Sequence, residues 1–317
     1  MSELIATVDV GTNTAHLLLA RITDDGEAVP VHSETRFVRL GQGIDATGEV
    51  HPAALARLRE ALLAFSGTAR GAGVTRTIAV GTSASRDARN RSELVRYVKR
   101  ETGLDYRILS GEEEALLTSI GALSGLAWTP DKAVIVDIGG GSTELTRAAR
   151  LEGRYSIDGS VSIDLGSVRI TERCFSSLPP PEPEIRAARQ MASAAFAGME
   201  AFAAVGPRFV GAAGTIRALA LVDAGVTSCD NFPPDDLIIS RSTCRSWCDR
   251  LLKLDYDRTL ALNPAVMQGR ADVFAAGVLL LDHLFSVLDA VECAVSPWGL
   301  RHGLAVQYAS LKKQRHG

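Results

Sequence analysis

The sequence lacks a long apolar run. Its most apolar stretch, VFAAGVLLLDHLFSVL from Val273 to Leu288, is short for a membrane span and is interrupted by Asp282 and His283. It reads as a buried helix, and no membrane partner is expected. The start, MSELIATVDV, has neither a basic n-region nor an apolar h-region, so no secretory signal is read there. Charge of one sign is also missing: 34 Lys and Arg against 37 Asp and Glu leave a formal net charge of −3. That balance gives no electrostatic reason to expect duplex nucleic acid or an anionic membrane, and a polyanionic substrate needs a local basic patch. Cysteines are few and odd in number: Cys174, Cys229, Cys244, Cys248 and Cys293, with no C-x-x-C. Cys244 and Cys248 share a helix face, but no second Cys/His pair accompanies them. They read as free thiols rather than half a zinc site, in a reduced, cytoplasmic chain. The six histidines (His16, His32, His51, His283, His302 and His316) show no ligand spacing and read as structural or solvent-facing. Aromatics are sparse at 5%, within an otherwise ordinary globular composition of 46% hydrophobic and 22% charged residues. A chain of 317 residues has room for two domains with separate cores.

What is present is one phrase written twice. TVDVGTNTAHLLLA (Thr7 to Ala20) and IVDIGGGSTELTRA (Ile135 to Ala148) align without a gap when Asp9 is placed on Asp137, an offset of 128 residues. Each reads as a strand ending in Asp, a tight turn of small residues and a returning strand. Around the phrase, each half reads β-β-β-α-β-α-β-α. In the first half a third strand is expected around Arg36 to Leu40. A helix opens at His51-Pro52 with Leu55, Leu58, Leu62 and Phe65 at helical spacing. SGEEEALLTSIGALSGL starts a further helix with acidic residues in its first turn. In the second half, after a Pro-rich connector, a long helix is expected over about Pro183 to Ala204. The chain therefore reads as an internal duplication of two similar α/β domains facing each other across a cleft. The expected domains are 1–126 and 127–317, with the final helix, 299–317, open to packing back on the first.

The phrase has a chemistry. Gly139, Gly140 and Gly141 let backbone N–H groups approach an anion without Cβ obstruction. Ser142 and Thr143 add hydroxyls, as do Thr12 and Thr14 with the Asn13 amide, beside Gly11. Asp9 and Asp137 suit Mg²⁺, or waters around it, bridging to phosphate oxygens. Two such hairpins would clamp one phosphate chain. A third element, FVGAAGTIRALA (Phe209 to Ala220), reads as strand, glycine loop and helix start. Its Gly214 and Thr215 are placed to receive an anion or flank a nucleotide.

The phrases VDVGTNT, VGTSASRDARN, SGEEEA, VDIGGGSTEL, GAAGTIRALA and SPWGLRHGLA occur in the order found in the exopolyphosphatase and guanosine pentaphosphate phosphatase family, and the resemblance spans about residues 4 to 310. It implies the actin-like ATPase and sugar kinase superfamily, with two ribonuclease H-like domains. The short, two-domain type is implied, because no room is left for extra C-terminal helical domains. It also implies hydrolysis of a phosphoanhydride with Mg²⁺ (or Mn²⁺) as cofactor. Glu114 aligns with the family's catalytic base, with Glu113 as the alternative. Their bland reading is compensation of the helix dipole. The resemblance makes Arg86 the phosphate-contacting arginine, whose fork bridges two oxygens, and makes Glu144 a second functional carboxylate that orients water or holds metal. Arg89 and Arg91 read as surface or secondary contacts, and Arg169 as a further group facing a polyanion. One departure stands out: His302 occupies a position that is commonly acidic in the family.

The expected activity is release of terminal orthophosphate from inorganic polyphosphate. The alternative is cleavage of guanosine pentaphosphate at its 5′ γ-phosphate. A phosphotransferase would need an acceptor pocket with its own Asp base, for which no candidate is seen. A non-catalytic alarmone sensor is disfavoured by the presence of Glu114, Glu144, Arg86 and both aspartates. A homodimer is compatible with the sequence, which specifies no interface.

Overall fold

The computed structural model describes residues 2–151, 154–203, 208–226 and 237–316. Elements run in chain order as β1 (Glu3–Val10), β2 (Thr14–Ile22), β3 (Ala28–Phe37), α1 (Ile44–Thr47), α2 (Pro52–Gly71), β4 (Arg76–Gly81), α3 (Ser83–Asp87), α4 (Arg91–Thr102), β5 (Tyr106–Ile108) and α5 (Gly111–Ser124). There follow β6 (Lys132–Ile138), β7 (Thr143–Leu151), β8 (Arg154–Ile163), α6 (Ser167–Cys174), α7 (Glu182–Ala195), β9 (Arg208–Ala212) and α8 (Ala213–Asp223). The chain continues through β10 (Ile238–Ser240), α9 (Arg241–Leu251), α10 (Tyr256–Leu262), α11 (Pro264–Met267), α12 (Phe274–Val287), β11 (Glu292–Val295) and α13 (Leu300–His316). Two compact units result, one of Met1–Ser124 with Trp298–Gly317 and one of Gly125–Pro297. The last helix thus belongs to the first unit.

In the first unit the strand order is β3-β2-β1-β4-β5. The hairpin β1–β2 and the pair β2–β3 are antiparallel, while β1, β4 and β5 run parallel. Side chains alternate across the sheet. Val8, Val10, Ala15 and Leu17 face a core with Leu58, Leu62 and Phe65 of α2 and Leu94 and Val98 of α4. Ile5, Leu18 and Ile22 face the other way, onto Ala305 and Ala309 of α13, while Val80 meets Leu117 of α5 with Leu300 and Leu304. Both faces are covered, as parallel strands require.

The second unit repeats the scheme with strand order β10-β11-β9-β6-β7-β8. Read from the other end, β8-β7-β6-β9-β11 matches β3-β2-β1-β4-β5, and β10 adds an antiparallel edge. Val136, Ile138 and Leu145 share one core with α7, α8, α9 and α12. The apolar stretch from Val273 is α12, buried over nearly its whole length. Among the described residues no helix is long and apolar enough to cross a membrane.

Two expectations are corrected, and one further strand is found. The third strand lies upstream, at Ala28–Phe37, not at Arg36 to Leu40. Val38 and Leu40 are fully buried beneath a loop, and Arg39 takes a φ of +46°, which ends the extended run. The helix expected to Ala204 stops at Ala195, because Gly198 adopts φ +85° and a single 3₁₀ turn, Met199–Phe202, follows. Strand β10 is three residues long and was not anticipated.

Candidate active site

The two hairpins are built alike. Asp9 stands in register opposite His16, and Asp137 opposite Glu144. On the third strands, His16 is opposite Thr35 and Glu144 opposite Ser162. Directly opposed residues of antiparallel strands project on one face. Each sheet therefore carries a row: Asp9, His16 and Thr35 in the first unit, and Asp137, Glu144 and Ser162 in the second. His16 Nδ1 lies 2.9 Å from Thr35 Oγ1 and its Nε2 lies 2.9 Å from Thr14 Oγ1. The buried Glu144 carboxylate accepts a 2.7 Å bond from Ser162 Oγ. The sequence had His16 as structural or solvent-facing; strand register puts it in the row with Asp9.

The turns match in detail. Gly11 N–H donates to Thr14 O at 2.8 Å, and Gly139 N–H to Ser142 O at 3.0 Å. Behind the first turn, Gly41 N–H donates to Thr12 O at 2.9 Å; behind the second, Val168 N–H donates to Gly140 O at 2.8 Å. In a trans peptide the carbonyl and the following N–H point in opposite directions. The bonded carbonyls of Thr12 and Gly140 therefore turn the N–H groups of Asn13 and Gly141 to the other side. Gly139 O also accepts from Ser167 N–H at 3.0 Å. The approach of α6 to this turn demands glycine at 166, where a Cβ would lie 2.5 Å from the Gly140 carbonyl carbon. Thr12 and Ser142 are both buried, and Thr143 Oγ1 donates to Leu165 O at 2.6 Å.

In the first unit, Arg86 and Glu114 meet. Arg86 lies on α3, just past the C-terminal end of β4, and its Nη1 donates to Glu114 Oε2 at 2.9 Å and to Leu109 O at 3.1 Å. Only 20% of the Arg86 side chain and 10% of the Glu114 side chain is exposed, so the pair is sheltered from screening. Glu113 is engaged differently. Its carboxylate accepts from Ser110 N–H at 2.9 Å while Ser110 Oγ accepts from Glu113 N–H at 3.1 Å. This reciprocal pair is a capping box that starts α5. Glu113 also pairs with Arg107. The Ser110 N–H first, and Arg107 next, hold its carboxyl below the usual range. Glu112 is exposed.

Arg89 is exposed and bonded to the Thr47 carbonyl, and Arg91 Nη1 donates to Arg86 O at 3.3 Å. Arg169 sits at the second hairpin, its N–H 3.3 Å from Gly140 O and its guanidinium on Asp164 O at 3.2 Å. At the third loop Ala213 adopts φ +68°, and Arg270 Nη1 donates to Gly214 O at 2.7 Å. Thr215 lies against Gly277 of α12. Arg270 was missed because nothing in its surrounding sequence, QGRADV, ties it to a loop more than fifty residues earlier.

Oxygen donors in the second row fit a hard cation: Asp137 and Glu144 are adjacent carboxylates of the kind Mg²⁺ and Mn²⁺ prefer. Among the described residues no three acidic, histidine or cysteine side chains gather closely enough to hold an ion alone. Water and phosphate oxygens would complete the coordination. Cys174, Cys244, Cys248 and Cys293 are free, and Cys229 lies outside the described residues. Burial pushes the Cys248 thiol up to about 12, and those of Cys244 and Cys293 higher still, so they are unreactive. His302 is buried and stacked on Trp298 at 5.0 Å; its Nδ1 accepts from Gly299 N–H at 3.2 Å. It thus fills the capping position that an acidic side chain takes in a capping box.

Known proteins resemble this chain over nearly its whole length. A profile of the Ppx/GppA phosphatase family matches residues 19–312. The chain is 34% identical to Exopolyphosphatase 2 of Mycobacterium tuberculosis, covering 96% of this chain and 98% of that protein. It is 27% identical to Exopolyphosphatase 1 of Mycobacterium bovis, covering 96% and 87% respectively. Among solved structures, an exopolyphosphatase-like protein superposes with a TM-score of 0.90 at 28% identity over 98% of this chain and 99% of that one. An exopolyphosphatase from Cytophaga hutchinsonii gives 0.87 at 24% identity over 97% and 98%, a likeness of fold. Such neighbours have the actin-like two-domain fold that the duplicated phrase foreshadows. With its motifs in order and its match spanning nearly the whole chain, this protein belongs to the Ppx/GppA phosphatase family, a family of phosphoanhydride hydrolases.

Proposed function

We propose that the chain is an exopolyphosphatase, releasing terminal orthophosphate from inorganic polyphosphate. The observation that carries this reading is the buried Glu114 carboxylate held by Arg86 at 2.9 Å, at the head of a helix whose cap is made by its neighbour Glu113. The capping role is filled, so Glu114 is left for chemistry. Exopolyphosphatase 2 of M. tuberculosis, at 34% identity over almost the full length, supports the same substrate class.

Phosphoryl transfer asks the protein mainly for positioning and charge neutralisation. The Asn13 and Gly141 N–H groups, with the hydroxyls of Thr12 and Ser142, receive non-bridging oxygens. Gly11, Gly139 and Gly140 let the backbone come close. Asp137 and Glu144 of the second unit, and separately Asp9 of the first, are the residues that would hold a divalent cation. Bound Mg²⁺ (or Mn²⁺) neutralises charge on the phosphate oxygens. Glu114 orients a water in line with the terminal phosphorus and takes its proton as the P–O bond forms. The bridging P–O bond breaks with its electrons passing to the shortened polyphosphate chain. Arg86 aims Glu114 and stands where a guanidinium could meet the transferring phosphoryl group. The buried free thiols fit a reducing, cytoplasmic setting.

Guanosine pentaphosphate is the second reading. It uses the same phosphate machinery and adds a nucleoside, for which the loop of Ala213, Gly214 and Thr215 with Arg270 is the candidate flank. The test is phosphate release with Mg²⁺ from inorganic polyphosphate, guanosine pentaphosphate and ATP, with Glu114→Gln as control. Release from polyphosphate, lost in the variant, is expected. Release only from the pentaphosphate would move the substrate, and no release from any would overturn the enzyme reading.

A further inference from the structure

Arg86 reaches Glu114 from α3, a helix of only five residues. A helix this short does not hold its own place. Among the described residues no side chain caps its N-terminus; its one turn is closed by Arg86 N–H donating to Thr82 O at 2.9 Å and Ser83 Oγ donating to Asp87 Oδ2 at 3.1 Å. Its position is set from β5. Ser85, the residue before Arg86, is fully buried, and its Oγ lies 2.7 Å from the hydroxyl of Tyr106, which is buried too. Either oxygen can donate in this pair.

The two hydroxyls fill the end of β4. Tyr106 stands in register with Ala79, and its side chain extends alongside Gly81, the last residue of that strand. A Cβ at position 81 would overlap the Tyr106 hydroxyl and lie 2.6 Å from Ser85 Oγ, so glycine there admits the pair. Three residues on from Tyr106, Leu109 N–H donates to Gly81 O at 2.9 Å, and Leu109 O accepts from Arg86 Nη1 at 3.1 Å. Tyr106 thus holds Ser85 while Leu109 holds Arg86: one strand end grips two consecutive residues of α3. The same Nη1 donates to Glu114 Oε2, so any shift of α3 moves the arginine against both of its acceptors.

Packing alone does not ask for hydroxyls at this place. Tyr106 lies in the core with Val8, Val10, Ala84 and Leu94. Two buried hydroxyls cost desolvation, and an apolar pair of the same shape would be about as stable. What an apolar pair lacks is direction, because a hydrogen bond fixes both a separation and an angle. Burial pushes the Tyr106 phenol well above its ordinary range, so it keeps its proton and the bond persists at working pH.

We infer that Tyr106 and Ser85 are positioning residues for the reaction, their bond setting the seat of α3 and through it the aim of Arg86 at Glu114. Neither touches substrate. The inference rests on the proposed exopolyphosphatase activity and gives a part in it to two residues outside the assigned site.

The test compares the wild type with Tyr106→Phe, Ser85→Ala and the double variant, by thermal melting and by phosphate release from long-chain inorganic polyphosphate with Mg²⁺. Each single variant strands one buried hydroxyl and is expected to melt a few degrees lower. The double variant strands neither and is expected to regain most of that loss. In all three, kcat is expected to fall about tenfold or more, the effect of a small misplacement in the catalytic geometry, with KM within about threefold. Stability that returns in the double variant while kcat does not is the mark of positioning. A double variant whose kcat returns together with its melting temperature overturns the inference, because that marks packing alone. So does a Tyr106→Phe protein with wild-type kcat. Failure of the wild type itself to release phosphate from polyphosphate overturns the proposed function, and this inference with it.

Discussion

Two adjacent glutamates at the head of α5 give opposite expectations, and the difference is measurable. Glu114→Gln preserves shape and one acceptor oxygen for Arg86 Nη1, which donates to that carboxylate at 2.9 Å. The cost to stability is that of weakening one charge-assisted bond in a sheltered place, on the order of 1–3 kcal/mol. On the proposed reading, the cost to chemistry is loss of a general base, roughly 10²- to 10⁴-fold in kcat. Glu113→Ala removes the acceptor of the Ser110 N–H and the pairing with Arg107. Half of a capping box contributes about 1 kcal/mol, and an ion pair this exposed well under 1 kcal/mol once screened. The sum is about 1–2 kcal/mol, a few degrees in the melting temperature for a domain of this size, with kcat within about twofold. The pH dependence follows from the lowered Glu113 carboxyl, whose first cause is the Ser110 N–H and second Arg107. A depressed folded-state value stabilises above the unfolded value and is lost as pH falls through the folded one. The stability gap between wild type and Glu113→Ala should therefore be full at neutral pH and narrow on acidification below the ordinary glutamate range. Melting curves over pH and initial rates of phosphate release decide the matter. A Glu113→Ala protein that melts normally but loses a hundredfold in kcat, beside an active Glu114→Gln, would refute the assignment.

Ala213→Gly should raise the melting temperature. Alanine at φ +68° costs about 1–2 kcal/mol over glycine, partly offset by the greater freedom of glycine in the unfolded chain, about 0.5–1 kcal/mol. A melting temperature that falls would show the loop relaxes differently. Gly303→Ala should be severely destabilising, by about 3 kcal/mol or more, since its Cβ would lie 1.8 Å from the Leu117 carbonyl oxygen. Because α5 also carries Glu114, surviving protein should lose activity too; a variant that melts and turns over normally counts against the tight α5–α13 packing. Glu3 ties β1 to α13 through Lys312 Nζ at 2.8 Å. That bond is the first cause of both the lowered Glu3 carboxyl and the raised Lys312 ammonium. The contribution should be complete between the ordinary carboxylate and lysine ranges, fading as pH drops through the lowered Glu3 value or climbs through the raised Lys312 value. Glu3→Gln should lower protection of the α13 amides in hydrogen exchange within that window only.

Much of the frame was legible because its signals are local. The strand, Asp, small turn and strand of each hairpin lie within twenty consecutive residues, and the offset of 128 exposes the duplication. Helical spacing in α2 follows directly from Leu58, Leu62 and Phe65, which face one core. The third strand was misplaced because FVRL is as apolar as a strand should be. What decides it is the φ of Arg39, fixed by bonds to Asn13 and Arg57 that no local pattern encodes. The break after Ala195 hangs on Gly198 alone. Strand β10 is too short to show periodicity and exists because β11 offers it an edge.

The site divides along the same line. Glu113 and Glu114 are neighbours of equal charge, and their sequence separates them only by resemblance. The fold separates them by helix geometry: position three of the helix turns back to the Ser110 N–H, and position four turns into the protein, where Arg86 waits. Duplication likewise predicts two equal hairpins, and register shows they are not equal. Where the second unit sets a buried Glu144 beside Asp137, the first sets His16 beside Asp9, each ring or carboxylate bonded to a hydroxyl at the matching place on the third strand. Two carboxylates in one row favour a cation bridged to phosphate, whereas one carboxylate and an imidazole between two threonine hydroxyls do so far less. On the proposed reading, the second hairpin is therefore the better place for a cation, and Asp9 of the first is the weaker.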